Sequence, residues 1–132
     1  MDKNKFFNDL KEELIKLTNK NKDLIDFNNR SVVACALVTK DLKVFTGLNV
    51  AWWHSSCAEV VALGNGLQNG ERKFEYLLAV KLNKRNMEHQ VLTPCGICRE
   101  MFMEFEQGEM QVVSFDKKGK VKLTKIKDML PE

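Results

Sequence analysis

A chain of 132 residues, 44% hydrophobic and 30% charged, fits one domain over residues 1–132 with a core packed without disulfide staples. Twenty-one basic residues against eighteen acidic ones leave a net charge of +3, spread along the chain, which argues against a nucleic-acid surface. Met1 to Lys5 is polar with no apolar run behind it, and no stretch approaches the length of a membrane span; the expectation is a cytoplasmic, reducing setting where clustered cysteines are metal ligands or catalytic thiols before they are disulfides.

Phe6, Leu10, Leu14 and Leu17 recur at three- and four-residue steps and predict an amphipathic helix from about Lys3 to Thr18. "SVVACALVT" reads as a central strand, "TKDLK" as a turn and "KVFTGLNV" as the returning strand. Cys57 to Leu67 has a helical pattern, with Val60, Val61, Leu63, Gly64 and Leu67 expected to face inward, and Asn69-Gly70 stops it. "FEYLLAVKL" is a third strand. His89, in the polar stretch "NKRNMEHQ", is expected to be exposed. Pro94 opens a second such helix, running through Met101, Phe102 and Phe105 to about Glu106. "MQVVSF" and "KVKLT" are short strands around the turn "DKKG", and "KIKDML" is a last helical turn.

The order α-β-β-α-β-α-β-β implies a sheet covered on both faces. Crossovers from the second strand to the third and from the third to the fourth would set two helix N-termini side by side, at the carboxyl ends of adjacent strands.

Those two helix starts carry the chemistry. Cys95 and Cys98 are i and i+3 on one helical turn, so both sulfurs can face one point, and Cys57 begins the neighbouring helix. Three converging thiolates suit Zn²⁺, and a fourth place kept for water marks a catalytic rather than a structural site. Cys35, mid-strand among apolar neighbours, reads as a buried small hydrophobe, so the site stays open. Three thiolates leave excess negative charge, which the positive ends of two helices offset. Glu59, two residues after Cys57, points elsewhere on the turn and can act as a general acid–base. Taken alone, Glu59 could equally be a first-turn carboxylate favoured by the helix dipole.

"CAEVVALG" followed by "LTPCGICRE" is the Cys-x-Glu and Pro-Cys-x-x-Cys pair of zinc deaminases, far more specific than an isolated CxxC. With "SVVACALVTKDLKVFTGLNV" and "MLPE", the chain from about Ser31 to Pro131 resembles the cytidine deaminase superfamily, closest to its blasticidin-S deaminase-like branch. The resemblance implies a three-layer α/β/α fold around a five-stranded mixed sheet. It implies Cys57, Cys95 and Cys98 as ligands of one Zn²⁺ per chain and Glu59 as the proton shuttle. Asn49 and Ser31 would contact substrate, with Ala58 and Pro94 meeting the pyrimidine edge through their backbones. It further implies hydrolytic deamination of a cytosine-type base in a small nucleoside or analogue (cytidine, deoxycytidine or blasticidin S) by a homotetramer or dimer with sites near the subunit interfaces.

The chain also departs from that pattern. Ala51 stands where many relatives carry a Glu that holds a ribose hydroxyl, a loss of about 1–3 kcal/mol for an abandoned polar partner. Val60 replaces an Arg that tempers thiolate charge in some three-cysteine relatives, and no aromatic tail follows Pro131-Glu132. Trp53, with Trp52, can line a pocket and stack on a base, or fill a subunit interface. His54 as a fourth ligand would make the site structural. The competing readings are a nucleic-acid base deaminase, which the modest charge argues against, and a non-catalytic zinc-stabilised or dithiol redox domain using Cys95 and Cys98.

Overall fold

The computed structural model describes residues 2–22, 31–49, 57–83, 85–92, 102 and 109–129. Helix α1 (Lys3–Lys20) begins at Asp2, whose carboxylate accepts hydrogen bonds from the Asn4 and Lys5 N–H groups at 2.9 and 3.3 Å. Its buried face is Phe7, Leu10, Leu14 and Thr18, with Phe6 and Leu17 half-buried beside it. The stripe thus sits one residue further along than the leucine spacing indicates.

Strands β1 (Val32–Val38), β2 (Val44–Leu48), β3 (Tyr76–Leu82), β4 (His89–Leu92), β5 (Gln111–Phe115) and β6 (Val121–Lys125) form one mixed sheet. Its order is β2-β1-β3-β5-β6, with β4 paired to the far half of β3. β1 is antiparallel to both neighbours, β3 and β5 are parallel, and β5–β6 is an antiparallel hairpin. The five strands expected are all present. β4 is a sixth, antiparallel to β3 through a turn in which Met87 takes φ 58°.

Two expectations need correction. β2 and β3 are not adjacent, because β1 lies between them and pairs with both. Its near-continuously buried run requires a central position. His89 is half-buried rather than exposed: its Nε2 lies 3.2 Å from Thr18 Oγ1 and 3.1 Å from Asn19 Oδ1. The Thr18 hydroxyl hydrogen goes to the Ile15 carbonyl, so Thr18 accepts from His89 and Nε2 carries the proton. This clasp ties β4 to the end of α1.

Side chains alternate along each strand and split the core in two. On one face Ala34, Ala36, Val38, Tyr76, Leu78, Val80 and Val113 pack under α1. On the other, Cys35, Leu37, Leu77, Ala79 and Val112 pack under helix α2 (Ala58–Gln68), together with Phe74, Met110, Ile126 and the helical residue Phe102. Apart from Phe102, the helix expected from Pro94 lies outside the described residues. The closing helical turn is a single 3₁₀ turn, Ile126–Asp128.

Candidate active site

On the α2 face of the sheet, residues across the strands fall into rows. Phe45, Leu37, Leu77 and Val112 are in register and form one row of large side chains. The next row, toward the carboxyl ends of β2 and β3, is Gly47, Cys35 and Ala79, followed by Leu92 of β4. Large groups hold a helix off a sheet, and small ones let it come close. The first turn of α2 therefore dips where the row is small, and the carboxyl ends of strands are where open α/β sheets place their sites.

Cys57 is the N-cap of α2, half-buried, with extended backbone (φ −66°, ψ 151°). Its carbonyl accepts the Val60 and Val61 N–H groups at 3.1 and 3.2 Å. A residue at this position stands at the positive end of the helix dipole. Glu59 lies in the first turn and is 6% exposed. A carboxylate that deep is costly unless its surroundings stabilise the charge, and the helix N-terminus is such a surrounding.

The face that α2 turns inward is Ala58, Glu59, Ala62, Leu63 and Gly66. Val60, 40% exposed, and Gly64 point outward, contrary to the expectation from the sequence. Close approach explains the difference: the small residues go against the sheet and a branched one is displaced to the surface.

Cys35 lies fully buried in the small row. Burial pushes its thiol well above the usual range, and the negative charge of Glu59 pushes it further. Cys35 is thus the buried small hydrophobe expected, packed in the core on the α2 side of the sheet. Asn49 and Ser31 are brought together at the mouth of the β1–β2 pair. The Asn49 Oδ1 accepts from Val33 N–H at 2.9 Å and its Nδ2 donates to the Ser31 carbonyl at 3.0 Å. A carboxamide has two N–H groups and two lone-pair positions, so this clasp leaves capacity toward a ligand. Ala58 is buried at the first position of α2, where a backbone N–H has no partner inside the helix. Cys95, Cys98, Pro94 and Trp53, together with Ala51, Trp52 and His54, lie outside the described residues. Among the described residues no three metal-donor side chains cluster. Gly47 is the residue that the sequence reading passed over; a glycine inside an otherwise β-branched and aromatic strand signals close backbone approach.

The profile of the cytidine and deoxycytidylate deaminase zinc-binding region matches residues 9–114, a span that holds Cys57, Glu59, Cys95 and Cys98. The chain belongs to this family. A blasticidin-S deaminase of Bacillus cereus is 23% identical over 125 residues, covering 90% of this chain and 88% of that one. A cytidine deaminase of Sporosarcina psychrophila is 32% identical over 102 residues, covering 75% and 71%. The crystal structure of cytidine deaminase from Burkholderia pseudomallei aligns with a TM-score of 0.60 at 33% identity, over 79% of this chain and 82% of that one.

The donor chemistry at α2 fits the metal that the family's region binds. Cys57 offers a soft sulfur donor at a positive helix end. The buried carboxylate of Glu59 stands two residues from that donor.

Proposed function

We propose that this chain is a zinc-dependent hydrolytic deaminase of the cytosine-type base in a small nucleoside or nucleoside analogue: cytidine, deoxycytidine or blasticidin S. The observation that carries the reading is Glu59, a carboxylate buried in the first turn of α2 directly after the thiol of Cys57. A carboxylate at that depth beside a helix start suits proton transfer at a ring nitrogen and a leaving amine.

Zinc, held by Cys57, Cys95 and Cys98, would supply a water made acidic enough to attack at neutral pH. The residues of the chain do the rest. Glu59 takes a proton from the attacking water and delivers it to the ring nitrogen, then takes the remaining proton of the new C4 hydroxyl and passes it to the exocyclic amine. Water replaces the amine at C4, the C–N bond breaks, and ammonia leaves. Asn49 and Ser31 hold the sugar-like portion, the N–H of Ala58 and the backbone at Pro94 meet the base edge, and Trp53 stacks on it. With Ala51 in the sugar-side position, an analogue that does not depend on a ribose hydroxyl contact suits the site at least as well as cytidine.

A homotetramer or dimer with sites near the subunit interfaces belongs to the same reading. Thiol ligands suit a reducing, cytoplasmic setting. Among the described residues no helix is long and apolar enough to cross a membrane. The test is ammonia release and loss of ultraviolet absorbance by zinc-loaded protein on cytidine, deoxycytidine and blasticidin S. Turnover of at least one is expected; inertness toward all three overturns the reading.

A further inference from the structure

We infer that Gly47 is a positioning residue of the site: by having no side chain, it sets the height at which the first turn of α2, and so Cys57 and Glu59, rests on the sheet. A Cβ at Gly47 would stand 2.8 Å from the Ala58 carbonyl oxygen, 2.9 Å from the Val61 carbonyl carbon, and closer still to the Ala62 nitrogen. All three are backbone atoms of the first turn and its continuation, so no neighbouring side chain can move to make room. Gly47 is in register with Cys35 on β1, and Cys35 is close enough to Glu59 to sense its charge. The contact at Gly47 and the burial of Glu59 are therefore two ends of one close approach.

A methyl group at Gly47 forces β2 and the start of α2 apart. That displaces Cys57 and Glu59 together. Cys95 and Cys98 follow β4 rather than α2 in the chain, and Asn49 and Ser31 are tied to the ends of β2 and β1 by their own hydrogen bonds. Cys57 and Glu59 would move relative to Asn49 and Ser31.

Gly64 provides the control. It lies on the same helix, exposed, and a Cβ there meets nothing within 4 Å. Alanine in a helix interior is more stable than glycine, so Gly64→Ala raises the melting temperature without touching the sheet. The experiment uses the full chain as wild type, G47A, G64A and G47A/G64A. Zinc affinity is measured by competition with a chromophoric chelator, melting temperature by calorimetry, and kcat and KM on whichever panel substrate the wild type turns over.

The kinetic arm rests on the deaminase reading; the zinc arm does not, so an inert wild type that binds zinc defeats that reading and still tests this one. G47A is expected to bind zinc at least tenfold more weakly and to lose at least tenfold in kcat per zinc-loaded molecule, with KM changed far less. Both losses are expected to persist in G47A/G64A although its melting temperature recovers. Zinc affinity and kcat equal to wild type in G47A, or returning together with the melting temperature in the double variant, would overturn the assignment. A double variant that does not fold would overturn it as well, giving Gly47 to the fold at large rather than to the site.

Discussion

The two helices that cover opposite faces of the sheet are built on opposite plans. α1 is amphipathic in the ordinary sense: Phe7, Leu10 and Leu14 fill one side, and none of its charged residues is buried. α2 inverts this. Its single charged residue, Glu59, is turned inward, its outer side carries Val60 and Gly64, and it meets the sheet backbone to backbone at Gly47. α1 lays an ordinary apolar stripe on the sheet; the first turn of α2 comes down on the small row of Gly47, Cys35 and Ala79 and buries a carboxylate two residues from Cys57. On the deaminase reading proposed above, stability and chemistry fall to different faces, and substitutions should separate them.

The largest effect expected is at Glu59. Glu59→Gln keeps the shape and removes the group proposed to move protons, so kcat should fall by about 10²–10⁴-fold, the usual contribution of general acid–base catalysis. Zinc content should stay at the wild-type level, and the melting temperature should hold or rise because a buried charge is gone. Turnover within threefold of wild type would remove Glu59 from the chemistry and erase the contrast between the faces.

The converse substitution lies on the α1 face. Phe7 is fully buried and its ring stands edge-on to Tyr76 at 5.0 Å between centroids. Phe7→Ala should cost about 3–5 kcal/mol of unfolding free energy, read by urea titration, with kcat per folded molecule unchanged below the transition. A parallel loss of kcat in fully folded protein would show that the α1 face also sets the site.

The legible parts of the molecule were those encoded by local pattern. The α1 stripe, the apolar run of β1, the β5–β6 hairpin around "DKKG", and the Cys57–Glu59 pair at a helix start all depend on residues near one another in sequence. What escaped depends on contacts between distant segments. β4 is four residues long with a polar start, and it is a strand because β3 offers a free half-edge and His89 reaches Thr18. The inward face of α2 was misjudged because hydrophobicity favours Val60, whereas the close approach permitted by Gly47 demands Ala58 and Ala62. The position of β1 between β2 and β3 is a matter of pairing that no single strand announces. Asn49 was read for its ligand chemistry; its clasp on Val33 and Ser31 shows that the same carboxamide also closes the sheet.

Cys35 tests the boundary between core and site. Cys35→Ala removes one buried sulfur, so stability should drop by about 1 kcal/mol, as for small core truncations. Zinc per chain and zinc affinity should be unchanged, because Cys35 is enclosed in the apolar core. Loss of metal in C35A, measured by atomic emission after dialysis, would make Cys35 a ligand and the site a closed one.

The smallest effect lies furthest from the chemistry, at the β5–β6 turn under the start of α1. Asp116 Oδ1 accepts the Lys120 and Lys118 N–H groups at 2.9 and 2.8 Å, and these bonds, that of Lys120 first, hold its carboxyl below the usual carboxylate range. A carboxylate depressed in the folded state adds stability that is present above its ordinary value, about pH 4, and is lost as pH falls through the lower folded value. Asp116→Asn keeps an oxygen acceptor but has no proton to titrate. Its melting temperature should lie slightly below wild type at pH 7 and converge with it as the pH is lowered below 4, while the dependence of kcat on pH between 6 and 8 stays that of wild type. Because Asp116 is fully exposed, this difference should be the smallest of the four. A changed kcat profile in D116N would mean that the α1 side of the sheet communicates with the site, which the division between a supporting face and a chemical face forbids.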